Sequence, residues 1–181
     1  MNDVSPFTIV GSGLAGSLMA CYLAKAGHRV TLFEKRNDPR LSEATEGRSI
    51  NLALSVRGIH ALEQVGLAQK ILDDAIAMPG RMIHSRSGQQ SFQPYGRDPS
   101  KAIYSVSRNG LNCALLDAAS SYSECEILFE HQCAGIDLSE RRVFFQDGEL
   151  SIPYRRLIAA DGAFSAIRAQ LQRERFDYQQ H

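Results

Sequence analysis

The feature that most constrains this chain is a glycine turn, GSGLAG, which lies between a short apolar segment and an amphipathic one. Phe7 to Val10 predicts a buried strand, and apolar residues recur at helical spacing from Leu14 to Ala26. Gly11, Gly13 and Gly16 occupy the three glycine positions of the G-x-G-x-x-G pattern. There the first glycine permits a tight turn, the second admits a diphosphate, and the third lets the helix pack on the strand. The turn therefore predicts a nucleotide-binding βαβ unit.

A carboxylate at the end of the next predicted strand strengthens this interpretation. Residues Arg29 to Phe33 predict that strand, and Glu34 follows it about 20 residues after the glycine turn. A carboxylate in this position accepts hydrogen bonds from the ribose of a bound dinucleotide. The alternative is a tightly packed helix and strand, with Glu34 as a solvated charge. The acid does not separate FAD from NAD, and Arg36 is either a ligand contact or a surface charge.

The remaining sequence predicts a mixed α/β fold without repeats. We expect a loop at 36–49, a strand at 50–54 and two helices at 56–75 that meet near Gly66. A hairpin at 78–98 and a strand at 102–106 follow, and then a helix with Ser107 as its N-cap. Five strand-like runs between Cys125 and Ala160 then predict a β-meander, with turns at Ser139 to Arg141 and at Asp147-Gly148.

Composition limits the classes of protein that this chain can represent. Its 181 residues suit one domain, and the formal net charge of zero argues against a nucleic-acid binder. The sequence contains no apolar run long enough for a membrane span and no signal-peptide pattern, so we expect a cytoplasmic protein. The four cysteines form no C-x-x-C pair and show no metal-ligand spacing with histidine, so we expect core thiols and no metal site.

Two further motifs have both a structural and a functional interpretation. Arg81 and Tyr95 lie inside the predicted hairpin strands, where they are either surface residues or ligands for an anionic group. Asp161 and Gly162 follow a strand and precede a helix. Asp161 is therefore either the N-cap of that helix or a carboxylate that faces a ligand beside backbone amides.

Taken together, the motifs resemble the kynurenine 3-monooxygenase family of FAD-dependent aromatic hydroxylases. The resemblance is carried, over nearly the whole chain, by the glycine turn with Glu34 and by the strings GRSINLALS (47–55), GRMIH (80–84), QPYGRD (93–98), SVSRNGLN (105–112), ADGAFSAIR (160–168) and RFDY (175–178). It implies a three-layer α/β, Rossmann-like FAD/NAD(P)-binding domain with an inserted β-meander. It also implies bound FAD, NADPH as reductant, O2 as oxidant and L-kynurenine as substrate.

The resemblance also implies roles for individual residues. Arg81 and Tyr95 match the pair that holds the carboxylate of kynurenine, and no side chain of this chain is expected to act as a catalytic acid, base or nucleophile. The positions that match FAD contacts are Gly11, Gly13, Ala15, Gly16, Phe33, Glu34, Lys35, Arg36, Ala53, Arg108, Cys133 and Asp161.

Members of that family are more than twice as long as this chain. We therefore expect residues 1–181 to form the N-terminal FAD-binding domain, truncated relative to the family, with the substrate domain largely missing. The alternatives are a non-catalytic FAD-binding fragment, a hydroxylase of another aromatic acid, and an NAD-dependent oxidoreductase.

Overall fold

The structure is a computed structural model that describes residues 7–41, 50–96 and 102–175. The RFDY motif from Phe176 onward, the first three residues of GRSINLALS and the Arg97–Asp98 end of QPYGRD lie outside the described residues. Contacts between Cα atoms divide the chain into two compact units: unit 1 comprises Met1–Ala44 and Asn112–His181, and unit 2 comprises Thr45–Leu111. The assignment of 1–181 to one domain remains a prediction, and each unit is described separately.

The described residues contain parallel and antiparallel strands together with five α-helices. In chain order they are β1 (Phe7–Val10), α1 (Leu14–Lys25), β2 (Val30–Phe33), β3 (Asn51–Leu54), α2 (Val56–Glu63), α3 (Ala68–Asp73), β4 (Ile76–Met78), β5 (Gly80–His84), β6 (Gln90–Pro94), β7 (Ile103–Ser107), α4 (Arg108–Ser120), β8 (Cys125–Leu128), β9 (Cys133–Asp137), β10 (Arg142–Phe145), β11 (Leu150–Pro153), β12 (Leu157–Ala159) and α5 (Ala166–Arg175). A 3-10 turn, Gln146–Gly148, follows β10.

Unit 1 is built on a four-stranded parallel sheet in the order β12-β1-β2-β8. Its central strands are apolar because both faces are covered, and Ile9 and Leu32 are fully buried. Helix α1 packs on β1 and β2 through small residues, including the buried Gly16, Ala20 and Ala24. The predicted βαβ unit is therefore confirmed, and the small side chains explain how closely the helix approaches the sheet.

Only part of the predicted β-meander is antiparallel. Strands β9, β10 and β11 form a three-stranded antiparallel sheet, whereas β8 and β12 join the parallel sheet at its two edges. Tight turns with positive φ at Arg141 and Gly148 separate the three meander strands and fold each one back on its neighbour. The first and last of the five predicted runs, β8 and β12, instead pair with β2 and β1, which are distant in sequence. A local turn signal does not encode such a pairing.

The meander covers the face of the parallel sheet that contributes Val10 and Phe33. These two side chains form one buried cluster with Ile136, Val143 and Phe145 of the meander and Ile167 of α5. Helix, parallel sheet and meander thus make the three layers that the family resemblance implies. Ser165 caps α5 by accepting a hydrogen bond from the Arg168 N–H at 2.9 Å, which excludes the alternative that Asp161 is the N-cap of this helix.

Unit 2 contains a three-stranded antiparallel sheet, β3-β7-β4, and a separate hairpin formed by β5 and β6. Helices α2 and α3 meet around Gly66, as the sequence predicts. Gly66 has a φ of +73°. The predicted N-cap of α4 is also confirmed, since the Ser107 hydroxyl accepts from the Gly110 N–H at 3.1 Å.

Candidate functional site

Three turns of unit 1 meet at the carboxyl edge of the parallel sheet. Val10 of β1 lies in register with Phe33 of β2 and with Ala159 of β12, so these strands end at the same level. The Gly11 N–H donates to the Phe33 carbonyl at 2.7 Å, and the Ala160 N–H donates to the Val10 carbonyl at 2.8 Å. Ligands of open α/β sheets bind at this edge.

The glycine turn has two positions without room for a side chain and one that faces open space. Gly11 has a φ of +100°, and a Cβ there would lie 2.4 Å from the Ala160 carbonyl oxygen. A Cβ on Gly16 would lie 1.8 Å from the Gly11 carbonyl oxygen, where the helix approaches the strand. A Cβ on Gly13 would meet no atom within 4 Å. This is the division of roles that a diphosphate-binding turn requires, so the residues fit a dinucleotide.

Glu34, directly after β2, points its carboxylate back at this turn. The side chain is buried, with 4% of its surface exposed. Its Oε2 accepts from the Ser12 N–H at 3.0 Å and from the Ser12 hydroxyl at 3.1 Å. Its Oε1 accepts from the Arg36 N–H at 3.1 Å and from Arg36 Nε at 2.9 Å. The carboxylate is therefore fixed beside the turn, which excludes the alternative of a solvated charge.

These hydrogen bonds determine the charge of Glu34. Burial by itself raises the pKa of the carboxyl group, but the hydrogen bonds from Arg36 and Ser12 outweigh it and hold the pKa below its ordinary value. Glu34 is thus ionised near neutral pH, so both of its oxygens act only as hydrogen-bond acceptors.

Glu34→Gln is expected to weaken the acid dependence of stability. Because the folded pKa of Glu34 lies below its ordinary value of 4.5, ionised Glu34 stabilises the fold above that pH. This stabilisation is lost as the pH falls through the folded pKa. The unfolding free energy of the wild type should therefore decrease more steeply than that of Glu34→Gln below pH 4.5. Urea denaturation over a pH series measures both slopes, and equal slopes would contradict the assignment.

Two residues of this site, Ser12 and Ser17, were missed at the sequence level. Ser12 binds Glu34 through its backbone and its hydroxyl, and the buried Ser17 hydroxyl donates to the Ser12 carbonyl at 2.9 Å. Both residues occupy variable positions around the glycine pattern, which by itself assigns them no role. A signal was nonetheless present, because small hydroxyl side chains close to a turn commonly bond to nearby backbone groups.

A third missed residue, His131, holds the segment that carries Glu34. Its backbone N–H donates to the Glu34 carbonyl at 2.8 Å, and the Glu130 N–H donates to the Arg36 carbonyl at 3.2 Å. The His131 ring centroid lies 5.6 Å from that of Phe33 and 5.8 Å from that of Phe145. The loop after β8 therefore holds the Glu34 segment through both backbone hydrogen bonds and ring packing.

The other predicted contacts of unit 1 lie around the same sheet edge. Ala15 is exposed in the first turn of α1, and Phe33 is buried in the core with its backbone at the end of β2. Lys35 and Arg36 are exposed after Glu34. Backbone near Asp161 abuts the glycine turn, since a Cβ on Gly11 would lie 2.8 Å from the Asp161 nitrogen.

Cys133 begins β9 and is half-buried. Burial is the main cause that raises the pKa of its thiol to about 11, and the nearby charge of Asp161 adds to it. The thiol is protonated at neutral pH, so it is an unreactive packing group.

Four predicted site residues lie in unit 2. Ala53 is exposed on β3, opposite Ser105, and Arg108 is exposed at the start of α4, where its N–H donates to the Ile50 carbonyl at 3.1 Å. The other two are on the hairpin: Arg81 is exposed on β5, and Tyr95, just after β6, is 48% exposed.

Arg81 and Tyr95 share one face of the hairpin. Arg81 pairs with Gln93, and the Tyr95 N–H donates to the Pro79 carbonyl at 3.0 Å, which continues the same register. Because side chains alternate along a strand, residue 95 lies on the face of 93 and 81. The Arg81 guanidinium donates from Nε and Nη2 to Gln93 Oε1 at 2.9 and 2.7 Å. The Nε–Nη2 edge of the Arg81 guanidinium thus binds the neutral amide oxygen of Gln93.

The described part of the chain has neither a candidate membrane span nor a candidate metal site. Within residues 7–41, 50–96 and 102–175, no helix is long and apolar enough to cross a bilayer. The same stretches hold no group of three or more His, Cys, Asp and Glu side chains placed to bind a metal ion.

Known proteins resemble this chain over nearly its whole length. A kynurenine 3-monooxygenase of Myxococcus xanthus (strain DK1622) is 44% identical over 170 residues, covering 92% of this chain and 37% of that protein. A kynurenine 3-monooxygenase of Stenotrophomonas maltophilia (strain K279a) is 42% identical over 170 residues, with the same coverage of 92% and 37%. This chain therefore spans well under half the length of the curated relatives that it matches.

Solved structures show the same fold at lower sequence identity. The flavin-dependent monooxygenase PieE, determined in complex with FAD and substrate, has a TM-score of 0.76 and 22% identity, covering 94% of this chain and 32% of that one. A family model described as an FAD binding domain matches residues 4–180. Because that match includes the glycine turn, Glu34 and the Asp161 turn, this chain belongs to the FAD binding domain family.

Proposed function

We propose that this chain is the FAD-binding part of a kynurenine 3-monooxygenase, which hydroxylates L-kynurenine to 3-hydroxykynurenine with NADPH and O2. The main observation in support of an FAD site is the glycine turn beside the buried Glu34 carboxylate. The turn has no room for a side chain at Gly11 and Gly16 but has free space at Gly13. The kynurenine assignment is supported by relatives of that name at 42% to 44% identity.

Each part of the site has a distinct role in holding the cofactor. Backbone N–H groups at the start of α1, from Gly13 to Ala15, would donate to the diphosphate, and the positive end of the helix favours the anion. Glu34 would accept hydrogen bonds from the adenosine ribose. When bound and reduced, FAD supplies the activation of O2 for transfer of one oxygen atom to the aromatic ring. The proposed FAD contacts of Lys35, Arg36, Ala53, Arg108, Cys133 and Asp161 are supported by the family resemblance.

Arg81 and Tyr95 would orient the substrate. Their common face on the hairpin supports a joint role, with the guanidinium fork pairing with the carboxylate of kynurenine and the phenol adding a directed hydrogen bond. Gln93, a neutral acceptor on the fork, is an easily displaced partner for a charged ligand. Holding the amino-acid end fixes which ring carbon faces the oxygen donor.

We also propose a cytoplasmic location for this reaction. All four cysteines, Cys21, Cys113, Cys125 and Cys133, are free thiols. Thiols that remain unpaired are typical of a reducing compartment.

Gly13→Ala is expected to weaken FAD binding while leaving the fold intact. The added Cβ meets no atom of the protein within 4 Å, so it would occupy the space proposed for the diphosphate. We expect the dissociation constant of FAD to rise about tenfold or more, equivalent to about 1.4 kcal/mol. Isothermal titration calorimetry measures the affinity, and circular dichroism confirms that the fold is retained. An unchanged affinity would place the cofactor elsewhere.

Arg81→Ala is expected to weaken binding of L-kynurenine by the FAD-loaded chain. Charge-assisted hydrogen bonds of this type contribute about 1.5 to 3 kcal/mol each, so we expect roughly a tenfold to hundredfold loss of affinity. Arg86→Ala is the matched control, because Arg86 is also an exposed arginine of the hairpin but lies in its turn. Calorimetric titration with kynurenine and with other aromatic acids measures the loss. Equal affinities of the two variants would remove kynurenine as the ligand of this pair.

A further inference from the structure

The Glu34 carboxylate has no acceptor position left for a ligand. A carboxylate offers about four lone-pair sites on its two oxygens. Ser12 donates its N–H and its hydroxyl to Oε2, and Arg36 donates its N–H and its Nε–H to Oε1. A ribose hydroxyl can therefore donate to Glu34 only if one of these four donors leaves.

The four donors differ in how readily they can leave. Two are backbone N–H groups, which the glycine turn and the Glu34 segment hold in place. The Ser12 hydroxyl belongs to a residue that is 1% exposed, and the Ser17 hydroxyl anchors the Ser12 carbonyl. The Arg36 side chain is 67% exposed, so its guanidinium can pass directly into water. Arg36 Nε is thus the donor that is released most readily, and Oε1 is the oxygen that becomes free.

We propose that Arg36 Nε occupies, in the ligand-free chain, the acceptor position on Glu34 Oε1 that a ribose hydroxyl takes on binding. Binding of an adenosine dinucleotide then exchanges the guanidinium for the hydroxyl, while Ser12 keeps Oε2 in both states. Arg36 is a positioning residue, which holds the carboxylate beside the turn and screens its charge until the ligand arrives. The inference rests on the proposed binding of FAD at this turn.

The exchange can be observed directly by NMR. In the 15N-labelled 181-residue chain, the Arg36 Nε–H cross-peak is assigned by its loss in Arg36→Lys. Titration with ADP-ribose, which carries the adenosine and diphosphate without the flavin ring, should shift this peak away from its ion-paired position.

Arg40 provides a matched internal control. Its N–H and Nε donate to Asp38 Oδ1 at 3.0 and 2.8 Å, which repeats the geometry of Arg36 on Glu34 four residues earlier. Asp38 belongs to the loop after β2 and is not part of the proposed site, so the Arg40 Nε–H peak should remain unchanged.

The possible outcomes separate this inference from the proposed function. Loss of the ion-paired Arg36 signal at saturation, with Arg40 unchanged, would support the exchange. If calorimetry shows ADP-ribose bound while the Arg36 signal keeps its free-state position, the exchange is wrong and FAD binding stands. If neither ADP-ribose nor FAD binds, the proposed function fails and the exchange fails with it.

Discussion

Gly16→Ala is expected to lower the unfolding free energy of the chain by about 3 kcal/mol, near the upper end of the usual cost of overpacking. A Cβ at this position would lie 1.8 Å from the Gly11 carbonyl oxygen and 3.3 Å from the Ala160 Cβ. The nearer atom is backbone, so α1 must move away from the sheet to relieve the clash. In a helix with free space, the same substitution would raise stability by about 1 kcal/mol, so the sign of the effect tests the close approach.

Urea denaturation followed by circular dichroism measures this change, since the chain contains no tryptophan for fluorescence. Gly110→Ala in α4 is the matched control, because its added Cβ would make only ordinary contacts, 3.4 and 3.5 Å from Ser107 atoms. We expect its stability to be unchanged or slightly raised. A Gly16→Ala variant as stable as Gly110→Ala would show that the helix and strand are not in close contact.

Phe145→Ala is expected to destabilise the chain by about 3 to 5 kcal/mol, the usual range for removal of a buried aromatic side chain. Phe145 is fully buried, and its ring centroid lies 4.5 Å from that of Phe33 in the core between sheet and meander. Phe33 directly precedes Glu34, so the cavity would also loosen the strand end that positions the carboxylate. We therefore expect weaker FAD binding as well as a lower urea midpoint.

Phe164→Ala is the control for this substitution, because the Phe164 side chain is 97% exposed. Loss of the same aromatic group from the surface should change the unfolding free energy by no more than about 0.5 kcal/mol. If the two variants were equally stable, the core between the parallel sheet and the meander would not be packed as described.

Much of unit 1 could be predicted because its signals are local. The apolar run before Gly11, the helical spacing after it and the acid at position 34 together specify a strand, a helix and a second strand. Each of these signals lies within about 30 residues, which is the span of one βαβ unit. The structure confirms all three elements to within one or two residues.

The pairing of β8 and β12 could not be predicted because it depends on contacts between distant residues. Leu157 pairs with Thr8, and Cys125 pairs with Val30. A strand-like run in sequence carries no information about which of two sheets it will join. The turns at Arg141 and Gly148, in contrast, are local and correctly identified the three antiparallel strands.

The candidate site was likewise only partly predictable from the sequence. The glycine positions and Glu34 follow a known spacing, whereas Ser12 and Ser17 lie outside the glycine pattern, and the folded turn is needed to identify Glu34 and the Ser12 carbonyl as their partners. For Arg81 and Tyr95, the register of the hairpin supports their shared face, but their role in binding substrate remains a prediction.

The most direct test of this account is the response of the backbone amides of Gly13, Leu14 and Ala15 to FAD. Gly13 is the N-cap of α1 and Leu14 and Ala15 begin the helix, beside the space in which a Cβ on Gly13 would meet no atom within 4 Å. In 1H–15N spectra of the labelled chain, we expect them to show the largest shifts at saturation, while the amide of Gly88 in the hairpin turn remains unchanged. If FAD binds and these three amides do not respond, the diphosphate does not lie at the glycine turn and the account is wrong.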